Sequence, residues 1–231
     1  MKRYDCNNFI FSSSATVYGT NNYPVNELSQ TGKGLTNTYA HNKYNIEQHI
    51  KKLSFLQEYK CFSFMILRYF NPIGAHPSGL IGENPNDIPN NLFPFILKVS
   101  KGEIDKLTVF GDDYNTNDGT CLRDYIHVCD LAEGHIKVLK HTYEPGVHIY
   151  NLGTGSGTSV FQLINAFNNQ IQENESAIKK VEYVVGPRRD GDLDTVYAIP
   201  TKANEQLDWI AKYSIDDMCS HGINYIKHLQ S

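Results

Sequence analysis

The chain has 231 residues, a formal net charge of −4 and a sequence pI near 6.1. This weakly acidic balance gives no reason to expect nucleic acid or an anionic membrane as a partner. Apolar residues make up 40% of the chain, which is enough for a sizeable buried core. We expect no membrane span, because no apolar run approaches the ~20 residues that a span needs. The first residues also lack the apolar segment of a signal peptide.

The cysteines favour a reducing compartment. They are five in number, scattered, and contain no Cys-x-x-Cys pair. An odd, dispersed set indicates free thiols in a cytoplasmic protein rather than a disulfide framework or a zinc site, so no metal ion is expected. The residues concerned are Cys6, Cys61, Cys121, Cys129 and Cys219.

The predicted elements alternate between strand and helix along the chain, which is typical of an α/β protein. Apolar runs predict strands at 9–11, 61–69, 106–110, 147–152 and 181–186. Helical spacing and capping residues predict helices at about 38–57 (with Thr36, Asn37 or Thr38 as the cap), 92–102, 126–141, 159–172, 202–208 and 214–229. The strands at 9–11, 61–69 and 147–152 fit a parallel doubly wound sheet, and the others fit a smaller cap.

A Tyr-x-x-x-Lys pair gives the first chemical signal. Tyr39 and Lys43 lie four residues apart in a predicted helix and therefore share one face. An ammonium within ~4–6 Å of a phenol favours the phenolate, so such a tyrosine can take a proton from a hydroxyl. The serine-rich strand end Ser12–Ser14 precedes the pair, and Ser14 could hold the hydroxyl. The spacing alone is also compatible with a solvated helix face, since about one such pair is expected by chance.

Further motifs follow in a fixed order. They are Ser12-Ser13-Ser14-Ala15-Thr16-Val17-Tyr18-Gly19, Tyr39-x-x-x-Lys43, the run 67–79, and the segments 82–83, 88–92, 110–114, 118–120, 123–128, 150–155 and 188–192. This order resembles the UDP-glucose 4-epimerases of the extended short-chain dehydrogenase/reductase family, and the resemblance covers essentially the whole chain. It implies the C-terminal part of a Rossmann-type doubly wound parallel sheet plus a small α/β substrate-binding cap. The implied domains are an NAD-binding part at 1–72 and a UDP-sugar region at 73–231, from which the strand at 147–152 returns to the sheet.

The resemblance also implies residue roles. Tyr39 would be the catalytic base, Lys43 its electrostatic partner and Ser14 the hydrogen-bond relay. Contacts to the NAD cofactor would come from Lys43, Tyr69, Tyr39 and Ser12. Within the UDP-sugar site, Arg123 and Arg189 would bind the diphosphate. The other implied substrate contacts are Ser14, Ala15, Thr16, Tyr69, Phe70, Asn71, Asn90, Asn91, Leu92, Thr108, Val109, Phe110, Asp190, Gly191 and Asp192.

The implied reaction interconverts UDP-glucose and UDP-galactose by transient oxidation at C4 with bound NAD, as in galactose metabolism. Val196 stands where some relatives carry a bulky tyrosine. Valine is smaller, so we expect UDP-GlcNAc and UDP-GalNAc to be tolerated as well. An intact family member would be a homodimer.

One departure from the family concerns the cofactor. Only eleven residues precede Ser12 and none is glycine, so the Gly-rich phosphate loop of a dinucleotide site is not in this chain. We therefore expect the first strands to be missing and the chain alone to be incomplete as an enzyme. The later Gly153-Thr154-Gly155-Ser156-Gly157 run is predicted to be a structural turn, because no acidic residue closes a second strand ~20 residues on.

Two alternatives remain open. The chain could be a non-catalytic UDP-sugar-binding remnant, or a half-enzyme that needs its N-terminal part in trans. A nucleotide-sugar 4,6-dehydratase is less favoured, because that chemistry requires an Asp-Glu pair where Thr16 and Val17 stand.

Overall fold

A computed structural model describes residues 1–85, 89, 91–171 and 178–230. The strands in this part of the chain are β1 (Asn8–Ser14), β2 (Ser63–Tyr69), β3 (Asn71–Ile73), β4 (Leu107–Phe110), β5 (Leu122–Arg123), β6 (Tyr125–His127), β7 (Gly146–Leu152), β8 (Thr158–Ser159), β9 (Tyr183–Gly186) and β10 (Thr195–Val196). The α-helices are α1 (Thr38–Ser54), α2 (Leu92–Ser100), α3 (Val128–Lys140), α4 (Val160–Asn169), α5 (Thr201–Leu207) and α6 (Ile215–Gln230).

The chain divides into two compact units. Unit 1 contains residues 1–70, 131–156 and 197–210. Unit 2 contains the remainder of the described chain. Each unit has its own sheets and its own buried side chains.

Unit 1 is built on a three-stranded parallel sheet in the order β1-β2-β7. The central strand β2 is almost continuously apolar and buried, as expected for a parallel strand covered on both faces. In the register, Ser14 pairs with Tyr69 and Tyr69 pairs with Leu152, so the three strands end at the same edge. The predicted three-stranded parallel arrangement is confirmed.

Helix α1 starts with a side-chain cap. The side chain of Asn37 accepts a hydrogen bond of 2.8 Å from the backbone N–H of Ala40, which satisfies one of the N–H groups left unpaired at a helix start. Below the helix, Ile50 packs with Phe62, Phe64 and Ile66 in a buried cluster. This packing fixes α1 on the sheet, and α1 carries the predicted Tyr-x-x-x-Lys pair.

Unit 2 combines short strand pairs with three packed helices. β3 pairs with β6 and β4 pairs with β9, in both cases parallel, while β5 lies between β10 and β8. Helices α2, α4 and α6 supply most of the core. Its fully buried members include Phe93, Ile96, Leu163, Phe167 and Cys219.

The predicted helix 126–141 begins two residues late. Ile126 and His127 belong to β6, and the helix proper begins at Val128. The strand is short but paired, since Ile126 lies opposite Pro72 of β3, and Ile126 and His127 are both fully buried. An apolar residue such as Ile126 fits a helix or a strand equally well, so only the pairing partner decides.

The glycine run after β7 forms a tight turn. Gly155 has a φ of +80°, and a Cβ at this position would lie 3.1 Å from Cδ of Pro200. Glycine is therefore required by the backbone and by the close approach of Pro200. These contacts support the prediction of a structural turn.

Candidate active site

Lys43 connects α1 to the end of β1 in unit 1. Its Nζ donates a hydrogen bond of 2.7 Å to the carbonyl oxygen of Ser12. The same Nζ lies 5.4 Å from the centre of the Tyr39 ring and 5.1 Å from that of Phe11. Tyr39 is 53% exposed, so its hydroxyl is accessible to a ligand. An anchored ammonium next to an accessible phenol is the arrangement that favours proton transfer at the phenol.

Ser14 lies at the carboxyl end of β1, where it caps a short 3-10 helix at Ala15–Tyr18. Its Oγ accepts hydrogen bonds from the backbone N–H (3.2 Å) and the hydroxyl (3.1 Å) of Thr16. Both bonds use lone pairs of Oγ, so the hydroxyl proton of Ser14 can be donated to another acceptor. Thr16 is exposed, whereas the side chain of Ala15 is buried.

Tyr69 ends β2 and bonds to two side chains of unit 1. Its hydroxyl lies 2.7 Å from Oγ of Ser12 and also contacts Nε2 of His135. Nδ1 of His135 is 2.9 Å from the carbonyl oxygen of Leu131, which can only accept. A neutral His135 therefore carries its proton on Nδ1, and Tyr69 donates to Nε2 while it accepts from Ser12.

The pKa of Tyr69 is raised, mainly by burial. The hydrogen bond with Ser12 opposes this rise in the pKa of Tyr69, and the charge of Tyr39 adds to it. His135, which lies on α3, was not predicted. It is far from Ser12 and Tyr69 in the sequence, and no motif spacing links them.

A second group of predicted residues meets in unit 2. Nη2 of Arg123 donates to Oδ1 of Asp192 at 2.8 Å, and Nη1 donates to the carbonyl oxygen of Leu193 at 2.9 Å. The guanidinium of Arg189 lies 3.9 Å from the centre of the Phe110 ring. The backbone N–H of Asp192 donates to the carbonyl oxygen of Arg189 at 3.2 Å, so one turn joins the two pairs.

This turn depends on Gly191, which has a φ of +79°. It brings two cations, a carboxylate and an aromatic face together in unit 2. Guanidinium groups in such a setting suit a diphosphate, because their planar donors match phosphate oxygens two at a time. Next to them, Nε of Arg188 donates to Oδ1 of Asp113 at 2.6 Å. Arg188 was not among the predicted site residues.

The other predicted substrate contacts differ in exposure. Thr108, Asn91 and Asp190 are exposed, and Asn91 is the N-cap residue of α2. The side chain of Val109 is buried in the core of unit 2, so only its backbone could contact a ligand. Asn90 lies outside the described residues. The half-buried or buried remainder consists of Phe70, Asn71 and Leu92.

All five cysteines are free thiols. No helix within the described ranges is long and apolar enough to cross a membrane.

The family model of the NAD dependent epimerase/dehydratase family matches residues 1–153. The chain therefore belongs to the NAD dependent epimerase/dehydratase family. It is 49% identical over 220 residues to the UDP-glucose 4-epimerase of Pasteurella multocida, covering 94% of this chain and 62% of that protein. It is 48% identical over 221 residues to the human UDP-glucose 4-epimerase, covering 95% of this chain and 61% of that protein.

A solved structure agrees with the fold. The UDP-glucose 4-epimerase from Bifidobacterium longum, in complex with NAD+ and UDP, superimposes with a TM-score of 0.90 at 44% identity. The alignment covers 99% of this chain and 66% of that chain. The predicted resemblance and the Rossmann-like α/β fold are confirmed. The chain spans about three fifths of the length of the curated relatives it matches.

Proposed function

We propose that this chain carries the catalytic and nucleotide-sugar-binding groups of a UDP-glucose 4-epimerase, which interconverts UDP-glucose and UDP-galactose. The observation that carries the proposal is the hydrogen bond from Lys43 to Ser12, which holds the ammonium next to Tyr39. Ser12 lies two residues before Ser14 in the same strand. The likeness to UDP-glucose 4-epimerases over nearly the whole chain supports it.

Tyr39 is the proposed base. The proton of the C4 hydroxyl of the hexose moves to the phenolate oxygen of Tyr39, and the positive charge of Lys43 stabilises the phenolate before the transfer. The hydroxyl of Ser14 can donate to the C4 oxygen and so orient it. In the return step, Tyr39 gives the proton back to the C4 oxygen.

NAD is the proposed cofactor. The residues at the carboxyl ends of β1 and β2 fit its nicotinamide–ribose end, since Lys43 offers an ammonium, and Ser12 and Tyr69 offer hydroxyls, to ribose and amide oxygens. The carboxyl ends of parallel strands are where ligands of α/β sheets bind. When bound, NAD would accept the hydride from C4 and return it.

The residues of unit 2 are proposed to bind the nucleotide. Arg123 and Arg189 are the diphosphate ligands, Asp192 accepts from ribose hydroxyls, and Phe110 provides an apolar face for the uracil. The short distances between Arg123 and Asp192 and between Arg189 and Phe110 support this assignment.

Three finer proposals concern substrate range, assembly and location. Val196 is half-buried and pairs with Arg123 across β10 and β5, so its size can affect what binds beside Arg123. We propose that UDP-GlcNAc and UDP-GalNAc are accepted, that the active protein is a homodimer and that it is cytoplasmic. Comparison of UDP-GlcNAc with UDP-glucose binding tests the first, and exclusion of the acetamido sugar would contradict it.

The proposed function is tested by incubating the purified chain with NAD and UDP-galactose and following the hexose signals by proton NMR. With the N-terminal part of a related UDP-glucose 4-epimerase added in trans, UDP-glucose is expected to appear, and Tyr39→Phe is expected to lower the rate ~10²–10⁴-fold, the usual contribution of a positioned base. Tyr44→Phe removes a hydroxyl from the same helix and should leave the rate unchanged. Binding of NAD and UDP-galactose without turnover would instead support the non-catalytic alternative.

A further inference from the structure

Unit 1 buries an ion pair directly behind the candidate catalytic centre. Glu47 is 0% exposed and Arg68 is 1% exposed. Nε and Nη2 of Arg68 donate to the two carboxylate oxygens of Glu47, at 3.0 and 2.6 Å. The hydroxyl of Ser13 donates to the same carboxylate at 2.6 Å. The polar atoms of these three residues, from α1, β1 and β2, form one connected cluster.

The remaining Nη1 of Arg68 is also bonded. It donates to the hydroxyl of Tyr18 at 2.9 Å, and that hydroxyl donates to Oδ1 of Asn151 on β7 at 2.7 Å. The network therefore reaches every strand of the parallel sheet of unit 1. A fully bonded buried network of this kind specifies one arrangement of the elements that contribute to it.

The network is poorly explained by stability alone. Removing two charges from water is costly, and replacement of a buried ion pair by apolar residues is often neutral or stabilising. The pair is better explained by what it positions. Tyr39, Lys43 and Glu47 are spaced by four residues and form one stripe along α1.

Two members of this stripe bind two successive residues of β1. Lys43 donates to the carbonyl oxygen of Ser12, and Glu47 accepts from the hydroxyl of Ser13. A single bond would allow α1 to slide or turn on the strand. Two bonds from positions one helical turn apart fix both the position of α1 along the strand and its rotation about its own axis.

We propose that Glu47 and Ser13 are positioning residues, which hold Lys43 on Ser12 and so keep the Tyr39–Lys43 pair in place. The catalytic meaning of this inference rests on the proposed function, but the contact itself can be tested without turnover.

The test measures how fast each lysine of the folded chain reacts with acetic anhydride, by mass spectrometry of its peptides. Ser13→Ala removes the strand–helix bond without changing any charge. It is expected to accelerate acetylation of Lys43 roughly fivefold or more, because the charge-assisted bond to Ser12 is then formed only part of the time. Lys52, exposed near the end of the same helix, serves as the internal reference and should not change.

Glu47→Gln is the second variant, and it should accelerate the acetylation of Lys43 in the same way. Ser54→Ala is the matched control, because it removes a hydroxyl that donates to the carbonyl oxygen of Lys51 at the end of α1. If acetylation of Lys43 and of Lys52 became faster by the same factor, the helix as a whole would be loosened and the proposal would be overturned. An unchanged rate of Lys43 acetylation in both variants would overturn the proposal as well.

The turnover assay separates this result from the proposed function. If the wild-type chain is active, both variants should lower kcat while KM for UDP-galactose stays the same. If the wild-type chain is inactive but Lys43 is selectively exposed by the variants, the positioning contact stands and only the proposed function fails.

Discussion

Arg123 is the residue on which the proposed nucleotide site can be tested most directly. Its guanidinium is held by Asp192 and by two carbonyl oxygens, so it is already oriented before a ligand binds. We expect Arg123→Met to weaken UDP binding about 10- to 100-fold, since hydrogen bonds to charged groups contribute ~1.5–3 kcal/mol. Isothermal titration of UDP into the purified chain measures this.

The control for that measurement is Arg3→Met, which removes the same charge from an exposed position beside Tyr4. It should leave UDP binding unchanged. An equal loss in both variants would mean that only net charge matters, and unaltered binding in Arg123→Met would remove this residue from the site.

At the same scale, Glu47 shows the limit of sequence-based prediction. The helical spacing of Ile46, Ile50, Leu53 and Leu56 predicts that these four residues lie on one buried side of the predicted helix, and Leu53 does pack against the buried cluster of Ile50. Only Ile50 is fully buried, whereas Ile46 is 42% and Leu56 47% exposed. Glu47 of α1 is buried instead, because its carboxylate forms an ion pair with Arg68 of β2, which is distant in sequence. A carboxylate in a helix is normally expected in solvent, and nothing near it in the sequence indicates such a partner.

Among the elements, α1 is the one that positions the proposed catalytic base, because its first turn carries Tyr39. Asn37 caps that turn by accepting from the N–H of Ala40. We expect Asn37→Ala to lower the free energy of unfolding by ~1 kcal/mol, the usual contribution of an N-cap side chain. The urea midpoint measures this loss. Asn37→Asp keeps an acceptor and adds a favourable charge at the helix start, so it should retain the wild-type midpoint.

The contact between β6 and α6 makes unit 2 sensitive to acid. His127 of β6 is fully buried, stacks on Tyr213 and lies 3.0 Å from Nδ1 of His221 on α6. The pKa of His127 is lowered to about 4, mainly by burial and in part by the charges of His221 and His76, while the charge of Asp217 opposes the shift. The unfolded chain therefore takes up this proton near pH 6.5, before the folded chain does.

Stability should consequently fall as the pH drops from 6.5 towards 4, by at most ~1.4 kcal/mol per pH unit for this group. Urea midpoints measured across that range give the slope. His127→Asn, which keeps an acceptor for the N–H of Cys129, should make the slope shallower. His41→Asn changes an exposed histidine on α1 and should not. Identical slopes in all three proteins would contradict the assignment.

The longer elements could be predicted because each carries its own local pattern. The cap of α1, the apolar run of β2 and the capping box of α4 at Ser159 are examples. The two- and three-residue strands of unit 2 could not be predicted in this way. Strands such as β5 and β10 exist because Arg123 lies opposite Val196, and the sequence around each residue contains no sign of the other.

For the whole molecule, the ordered motifs were sufficient to predict the family and the parallel sheet of unit 1. The return of residues 197–210 to unit 1 has no comparable signal. It rests on one parallel bridge between Val25 and Ala198 and on the packing of α5 against β7. Contacts between residues this distant in sequence depend on the finished fold rather than on local composition.

Both units also bury groups that become anionic at high pH. Burial raises the pKa of Tyr18 in unit 1 and of Cys219 in unit 2 to about 12, from ordinary values of 10.0 and 9.0. The folded chain therefore keeps protons that the unfolded chain loses above pH 9. Stability should fall from pH 9 upwards, by up to ~1.4 kcal/mol per pH unit for each group.

This alkaline loss is measured by urea midpoints between pH 8 and 11 (about the range in which the unfolded groups titrate). Cys219→Ala removes one contributing group and should flatten the first part of the fall, although it also creates a small cavity that lowers stability at every pH. Cys6→Ala removes an exposed thiol and should leave the slope as in the wild type. A Cys219→Ala protein with an unchanged slope would show that this thiol ionises equally easily in the folded and unfolded chains.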